Sequence, residues 1–282
     1  MTQRIQSFDE ITRHYDAVLC DVWGVLHNGV EAFAAASEAL AAARAAGLAV
    51  VLITNSPRPH PGVKAQIRGL GVLDAAYDRI VTSGDVTRSL IAAGPRKIHF
   101  IGTERDRALL DGLDVEPVAP EAAEIIVCAG LREDEIETAE DYRGELTPLA
   151  ARGLPLICAN PDLVVERGHK IVPCAGAIAV LYEQIGGTTR IAGKPHRPIY
   201  ERSLAEVRAV RGDVALNRIV AIGDGMPTDI RGAEAAGLDV VYISGGIHAA
   251  EYVVDGRTDE ARLSAFLARE NASPKWWMPR LQ

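Results

Sequence analysis

The 282-residue chain has no apolar run approaching the ~20 residues that a spanning helix needs. Its opening segment, Met1 to Glu10, is polar and unlike a charged-then-apolar leader. The expectation is a protein that is neither secreted nor anchored and that works in the cytoplasm. Positive charge is short as well. With 30 Lys and Arg against 38 Asp and Glu, the formal net charge is −8, which argues against a sequence-independent nucleic-acid surface. An anionic ligand would need local cations, for which Lys194, Arg58, Lys170 and Arg197 are the candidates. Cysteine is scarce: Cys20, Cys128, Cys158 and Cys174 are widely spaced, no pair has metal-ligand spacing, and reduced, mostly buried thiols are expected. Apart from alanine richness there is no repeat or low-complexity segment. With 48% apolar and 24% charged residues, the chain is long enough for one large or two modest globular domains.

What is present is a recurring arrangement of a short apolar strand followed by a polar residue at its carboxyl end. Tyr15 to Cys20 leads into Asp21 and the segment Asp-Val-Trp-Gly-Val-Leu-His-Asn-Gly, ending at Gly29. A carboxylate placed there emerges at the carboxyl edge of a sheet, where open α/β folds hold their ligands, although aspartates also begin turns and cap helices. Ala49 to Ile53 delivers Thr54, Asn55 and Ser56, hydroxyl and amide groups suited either to phosphate oxygens or to an ordinary turn. Thr189 to Ala192 leads into Gly193-Lys194-Pro195, and Arg218 to Ile222 runs into Gly-Asp-Gly-Met-Pro-Thr-Asp, which carries Asp224 and Asp229. Singly, each of these has a bland reading as a surface lysine, a turn or a cap.

In this order, Asp21, Thr54, Lys194 and the Asp224/Asp229 pair resemble the four motifs of the haloacid dehalogenase superfamily of aspartate-nucleophile hydrolases. The resemblance covers nearly the whole chain. Positions 21 and 54 lie 33 residues apart, enough for one βαβ unit through Ala32 to Gly47 but not for an inserted domain. Positions 54 and 194 lie 140 residues apart, which leaves room for one. That spacing is similar to the class IIA branch, the NagD-type phosphatases.

The resemblance implies a doubly wound, Rossmann-like parallel sheet core in residues 1–83 and 190–282, with an inserted α/β cap of the C2 type in 84–189. Asp21 is then the nucleophile, Lys194 the cation on the phosphoryl group, and Thr54 and Asn55 the ligands of its oxygens. Mg²⁺ would be held by Asp21, the Trp23 main-chain carbonyl, Asp224 and Asp229. In the cap, Asn160 and Asp162 would read the leaving group and Cys174 could touch substrate. The expected partner is a small phosphorylated metabolite, with a homodimer possible through the cap.

One position departs from the phosphatase pattern. Two residues after the nucleophile, where those enzymes carry an aspartate acid–base, stands Trp23, whose indole offers one N–H donor and no useful titration near neutrality. A positioned acid–base group contributes about 10²–10⁴ in rate, or roughly 3–5 kcal/mol of barrier. The chain would then favour good leaving groups, or recruit His27 or His196 as a substitute. The alternatives are a phosphate-binding pseudoenzyme without turnover and a haloacid dehalogenase, since those enzymes also carry an aromatic residue here.

Within the cap, Lys97 to Ile101, Glu124 to Cys128 and Pro155 to Cys158 read as strands, with helical stretches near Asp106, Ala139 and Ala177. Pro227 to Gly237 reads as the helix after the last motif. The adjacent Trp276 and Trp277 suggest docking of the carboxyl terminus on the core, with a subunit interface as the alternative.

Overall fold

The structure, a computed structural model, describes residues 2–167 and 170–282. The chain forms two compact units, one made of the segment up to Thr54 with Lys64–Val81 and Tyr200–Gln282, the other of Asn55–Val63 and Thr82–Ile199. These bounds differ from the expected 1–83, 84–189 and 190–282 by two residues at Thr82 and by longer segments at 55–63 and 190–199. Residues 55–63 belong to the second unit because their backbone is pinned there: the Gly84 N–H donates to the Ser56 carbonyl at 3.0 Å, and a Cβ on Gly84 would stand 2.1 Å from the Pro57 oxygen. Residues 190–199 join it through the strand Thr188–Ile191 and the Lys194 segment, which is tied to Asn55.

The first unit is built on a seven-stranded sheet in the order Gln3–Arg4, Trp276–Met278, Asp239–Ile243, Ile219–Gly223, Ala17–Asp21, Ala49–Thr54 and Arg79–Thr82. The described pairings are parallel. The three central strands are buried along their whole length, which accounts for their unbroken apolar runs. The helix Ala34–Ala45 turns Ala36, Ser37, Leu40 and Ala43 inward at helical spacing and stops just before Gly47. After the last motif the expected helix divides into a single wide turn, Met226–Ile230, and a short helix, Arg231–Ala235.

The second unit has its own five-stranded parallel sheet, in the order Thr188–Ile191, Pro155–Cys158, Ile125–Cys128, Lys97–Ile101 and Glu116–Pro117. Alternate residues feed two separate cores. Ile126, Cys128, Leu156 and Cys158 pack with Tyr142, Leu146 and Tyr182, whereas Ile98, Ile125, Val127 and Ile157 pack with Ile91 and Leu109. Together with the first unit this is the expected α/β architecture. All four cysteines are free and buried, as their apolar settings indicated.

The carboxyl terminus enters the first sheet as a strand. Trp277 is 5% exposed, lies between Arg4 and Tyr242 in register, and carries the Arg4 guanidinium 5.3 Å above its ring. The Trp276 indole N–H donates to the Tyr15 hydroxyl at 2.8 Å, which in turn donates to Asp239 at 2.7 Å. The tryptophans therefore dock on the chain's own sheet. Trp277→Ala should cost about 3–5 kcal/mol, read as a lower urea midpoint. Trp276→Phe, which removes the donated hydrogen bond together with part of the ring that stacks on His14, should cost about 1–2 kcal/mol in the same measurement.

Candidate active site

Asp21 ends an interior strand of the first sheet, Ala17–Asp21. In register it faces Ile53, and Cys20 faces Ile222, so Asp21, Thr54 and Asp224 emerge from three adjacent strands at one edge. From Ala17–Asp21 the chain first builds to one side, with Ala49–Thr54, and much later to the other, with Ile219–Gly223. Such a reversal opens a crevice at the carboxyl ends of the strands. Asp21, Asp224 and Asp229 are 5%, 6% and 7% exposed, and each offers a carboxylate oxygen within 4.8 Å of the other two.

The loops around these acids are shaped to hold them. Asp224 Oδ2 accepts the Ile247 N–H at 2.8 Å, and Asp229 Oδ2 accepts the Gly225 N–H at 3.1 Å. A Cβ on Gly24 or Gly246 would stand 2.4 or 2.0 Å from Asp224 Oδ2, and one on Gly223 would stand 2.3 Å from the Asp229 Cβ. Hard carboxylate oxygens converging in a cradle too tight for a methyl group fit a hard divalent cation such as Mg²⁺.

Behind the cradle, His248 Nε2 accepts the Met226 N–H at 3.1 Å, and its ring packs on Phe266 at 5.4 Å between centroids. Burial lowers the His248 pKa and favours the neutral ring that this acceptor role requires. The Gly245–His248 segment was not singled out from the sequence, where only its paired glycines after an apolar run mark it.

Trp23 is half-buried and folded onto its own loop. Its ring meets the His27 ring edge-on at 4.9 Å, and a Cβ on Gly29 would touch its benzo edge at 2.4 Å. His27 is 2% exposed, and its Nδ1 accepts the Gly29 N–H at 2.9 Å. Protonating Nδ1 would set one donor against another, so His27 is poorly placed to act as an acid. His196 is exposed, and partial burial lowers its pKa, which favours its neutral form at neutrality.

In the second unit four of the expected site residues are hydrogen-bonded to one another or to Lys194. Asn55, expected on phosphate, accepts the Lys194 N–H at Oδ1 (2.7 Å) and donates from Nδ2 to Asp162 Oδ1 (2.8 Å) and to the Lys194 carbonyl (3.1 Å). Both hydrogens of its amide are therefore committed. Asp162, expected to read a leaving group, takes one of them, and its own N–H donates to Asn160 Oδ1 at 3.1 Å. Cys174 is buried, shares a hydrogen bond with the Asn160 side chain, and has a thiol pKa driven up by burial, which makes it inert. Asn160, Asp162 and Cys174 thus brace one another.

Thr54 and Lys194 are buried at 6% and 3% exposure. Among the other cations, Lys170 is exposed and pairs with Glu135 at 2.9 Å. Arg58 is half-buried, and burial lowers its pKa against the pull of Asp106.

Comparison with known proteins agrees with the geometry. A family profile described as haloacid dehalogenase-like hydrolase matches residues 18–116, and a second, described as HAD-hydrolase-like, matches 191–266. The crystal structure of a haloacid dehalogenase-like hydrolase from Brucella suis 1330 is 55% identical, with a TM-score of 0.89 over 99% of this chain and 100% of that one. The acid sugar phosphatase of Staphylococcus epidermidis is 26% identical over 83% of this chain and 88% of its own length. The ribonucleotide monophosphatase NagD of Escherichia coli K12 is 25% identical over 82% and 88%.

If the cradle holds a cation, Gly246→Ala should weaken Mg²⁺ binding by about 10–100-fold in calorimetry, because its Cβ displaces Asp224. Gly69→Ala, with nothing within 4 Å of the added carbon, should leave that affinity unchanged.

Proposed function

The chain belongs to the haloacid dehalogenase-like hydrolase family, and from that premise we propose that it hydrolyses small phosphate monoesters through an aspartyl-phosphate on Asp21. Within the family it is a NagD-like phosphatase, a phosphoric monoester hydrolase. The observation that carries the reading is the set of three buried carboxylates at the reversal point of the sheet. Relatives named for sugar phosphates and ribonucleotides support a small phosphorylated metabolite as substrate.

In this reading an Asp21 oxygen attacks phosphorus, the bond to the leaving oxygen breaks, and water then cleaves the acyl phosphate to regenerate the carboxylate. Thr54 donates its hydroxyl to a phosphoryl oxygen, and Lys194 supplies positive charge to the same group. Asp21, Asp224, Asp229 and the Trp23 main-chain carbonyl would hold Mg²⁺, which when bound neutralises charge on the phosphoryl oxygens.

Trp23 cannot protonate the leaving oxygen, and neither His27, bound at Nδ1, nor His196, with its lowered pKa, is suited to replace that acid. Turnover therefore depends on how well the leaving group bears its own negative charge. Aryl phosphates should be hydrolysed faster than simple alkyl phosphates such as glycerol phosphate.

The test is Mg²⁺-dependent phosphate release from a panel running from nitrophenyl phosphate to sugar and glycerol phosphates. Asp21→Asn should abolish it with the fold intact. Trp23→Asp should raise turnover of alkyl phosphates more than that of nitrophenyl phosphate, by up to about 10²–10⁴-fold if the new carboxyl is well placed. An active Asp21→Asn variant would refute the covalent mechanism. Silence across the panel with Mg²⁺ bound would identify a phosphate-binding pseudoenzyme, and halide release from a 2-haloacid without phosphate release would identify a dehalogenase.

A further inference from the structure

We propose that Asn55 and Asp162 form a clasp whose function is to position Lys194, so that Asn55 acts on the reaction through the lysine and not by binding phosphate. The proposal rests on the phosphatase reading for the role of Lys194 and adds to it a residue, Asp162, that lies far from any catalytic motif in sequence.

The geometry leaves Asn55 little other work. The residue is 3% exposed, and its amide grips Lys194 on both sides of the Cα, accepting from the lysine N–H at 2.7 Å and donating to the lysine carbonyl at 3.1 Å. Two hydrogen bonds to the two peptide groups of one residue fix the direction in which its side chain leaves the backbone. Buried from water, they are stronger than the same bonds at the surface.

What keeps the amide facing this way is Asp162. An ionised carboxylate only accepts, so its Oδ1 at 2.8 Å demands the NH₂ side of Asn55, and Oδ1 of Asn55 is left facing the Lys194 N–H. Asp162 is itself held by the bond from its N–H to Asn160 Oδ1. Gly193 allows the approach: a Cβ there would stand 2.7 Å from Asn55 Oδ1, 2.7 Å from Ser83 Oγ and 2.8 Å from the Pro161 ring. The pattern Asn160-Pro-Asp162 is thus an orienting device for an amide more than a hundred residues upstream.

Two arms test the clasp, and they fail separately from the phosphatase reading. The first needs no turnover. In hydrogen exchange followed by mass spectrometry, the peptide containing Lys194 should exchange at least about tenfold faster in Asp162→Ala and in Asn55→Ala than in the wild type, as expected for loss of a charge-assisted, partly buried bond. Unchanged exchange in Asp162→Ala would overturn the proposal whether or not the protein is an enzyme.

The second arm is a double-mutant cycle with nitrophenyl phosphate. Asn55→Ala and Asp162→Ala should each lower kcat by about 10–100-fold with little change in KM, and the double variant should be no worse than the poorer single one. Asp162→Asn, which keeps an acceptor oxygen, should recover most of the loss. Multiplicative single effects would overturn the clasp, as would an Asn55→Ala variant that raises KM and the inhibition constant of inorganic phosphate while Asp162→Ala is silent. Circular dichroism of each variant separates misfolding from misplacement of the lysine.

Discussion

Three buried carboxylates within 4.8 Å of one another are an electrostatic liability, and the first unit is arranged around bearing it. At an effective dielectric of about 20, each close pair of like charges costs about 4 kcal/mol at 4 Å. Such crowding persists only where the fold imposes it and something of opposite sign offsets it. Here the imposition comes from the sheet: Asp21 ends one interior strand, Asp224 follows the strand beside it, and Asp229 sits in the wide turn just beyond. Glycines at 24, 223 and 246 permit the closeness, since each stands where a side chain would strike one of the acids. Backbone N–H groups of Gly225 and Ile247 supply part of the compensation, and a divalent cation would supply more.

The strands that carry this site were plain in the sequence because buried parallel strands write themselves as unbroken apolar runs. Lys97–Ile101 and Pro155–Cys158 match the expected segments to the residue, and the strands bearing Asp21, Thr54 and Asp224 differ from theirs by one or two positions. The carboxyl-terminal strand was harder to see. Trp276–Met278 is only three residues long, follows a proline and lysine, and earns its place by pairing with two strands distant in sequence. Short strands of this kind are stabilised by tertiary contacts with no local signature. The same is true of the boundary at Asn55–Val63, which depends on a close approach to Gly84 that no local pattern encodes.

Residue types in the candidate site were legible, but hydrogen-bond saturation was not. Asn55 follows a motif threonine, and an amide in that position has the right chemistry for phosphate. In the folded chain its two N–H groups and its oxygen already have partners. Asn160, Asp162 and Cys174 pose the same problem: each has a side chain able to touch a ligand, and each has a hydrogen-bond partner in its own unit. A polar residue near a site is as often part of its framework as of its chemistry, and which of the two it is depends on partners tens of residues away.

Trp23 shows that the missing acid is not a simple deletion. Its ring packs against His27 and over Gly29, and His27 in turn accepts the Gly29 N–H, so the indole is a structural member of the loop that begins at Asp21. An aromatic pair of this geometry contributes about 0.5–1.5 kcal/mol beyond the area it buries. An aspartate at this position would exchange that packing for a carboxylate set against the His27 ring, where an ionised group without partners is costly. The loop therefore favours an apolar residue for its own stability while the chemistry of alkyl phosphates favours an acid. A substrate whose leaving oxygen needs no proton is the one case in which the two demands do not conflict.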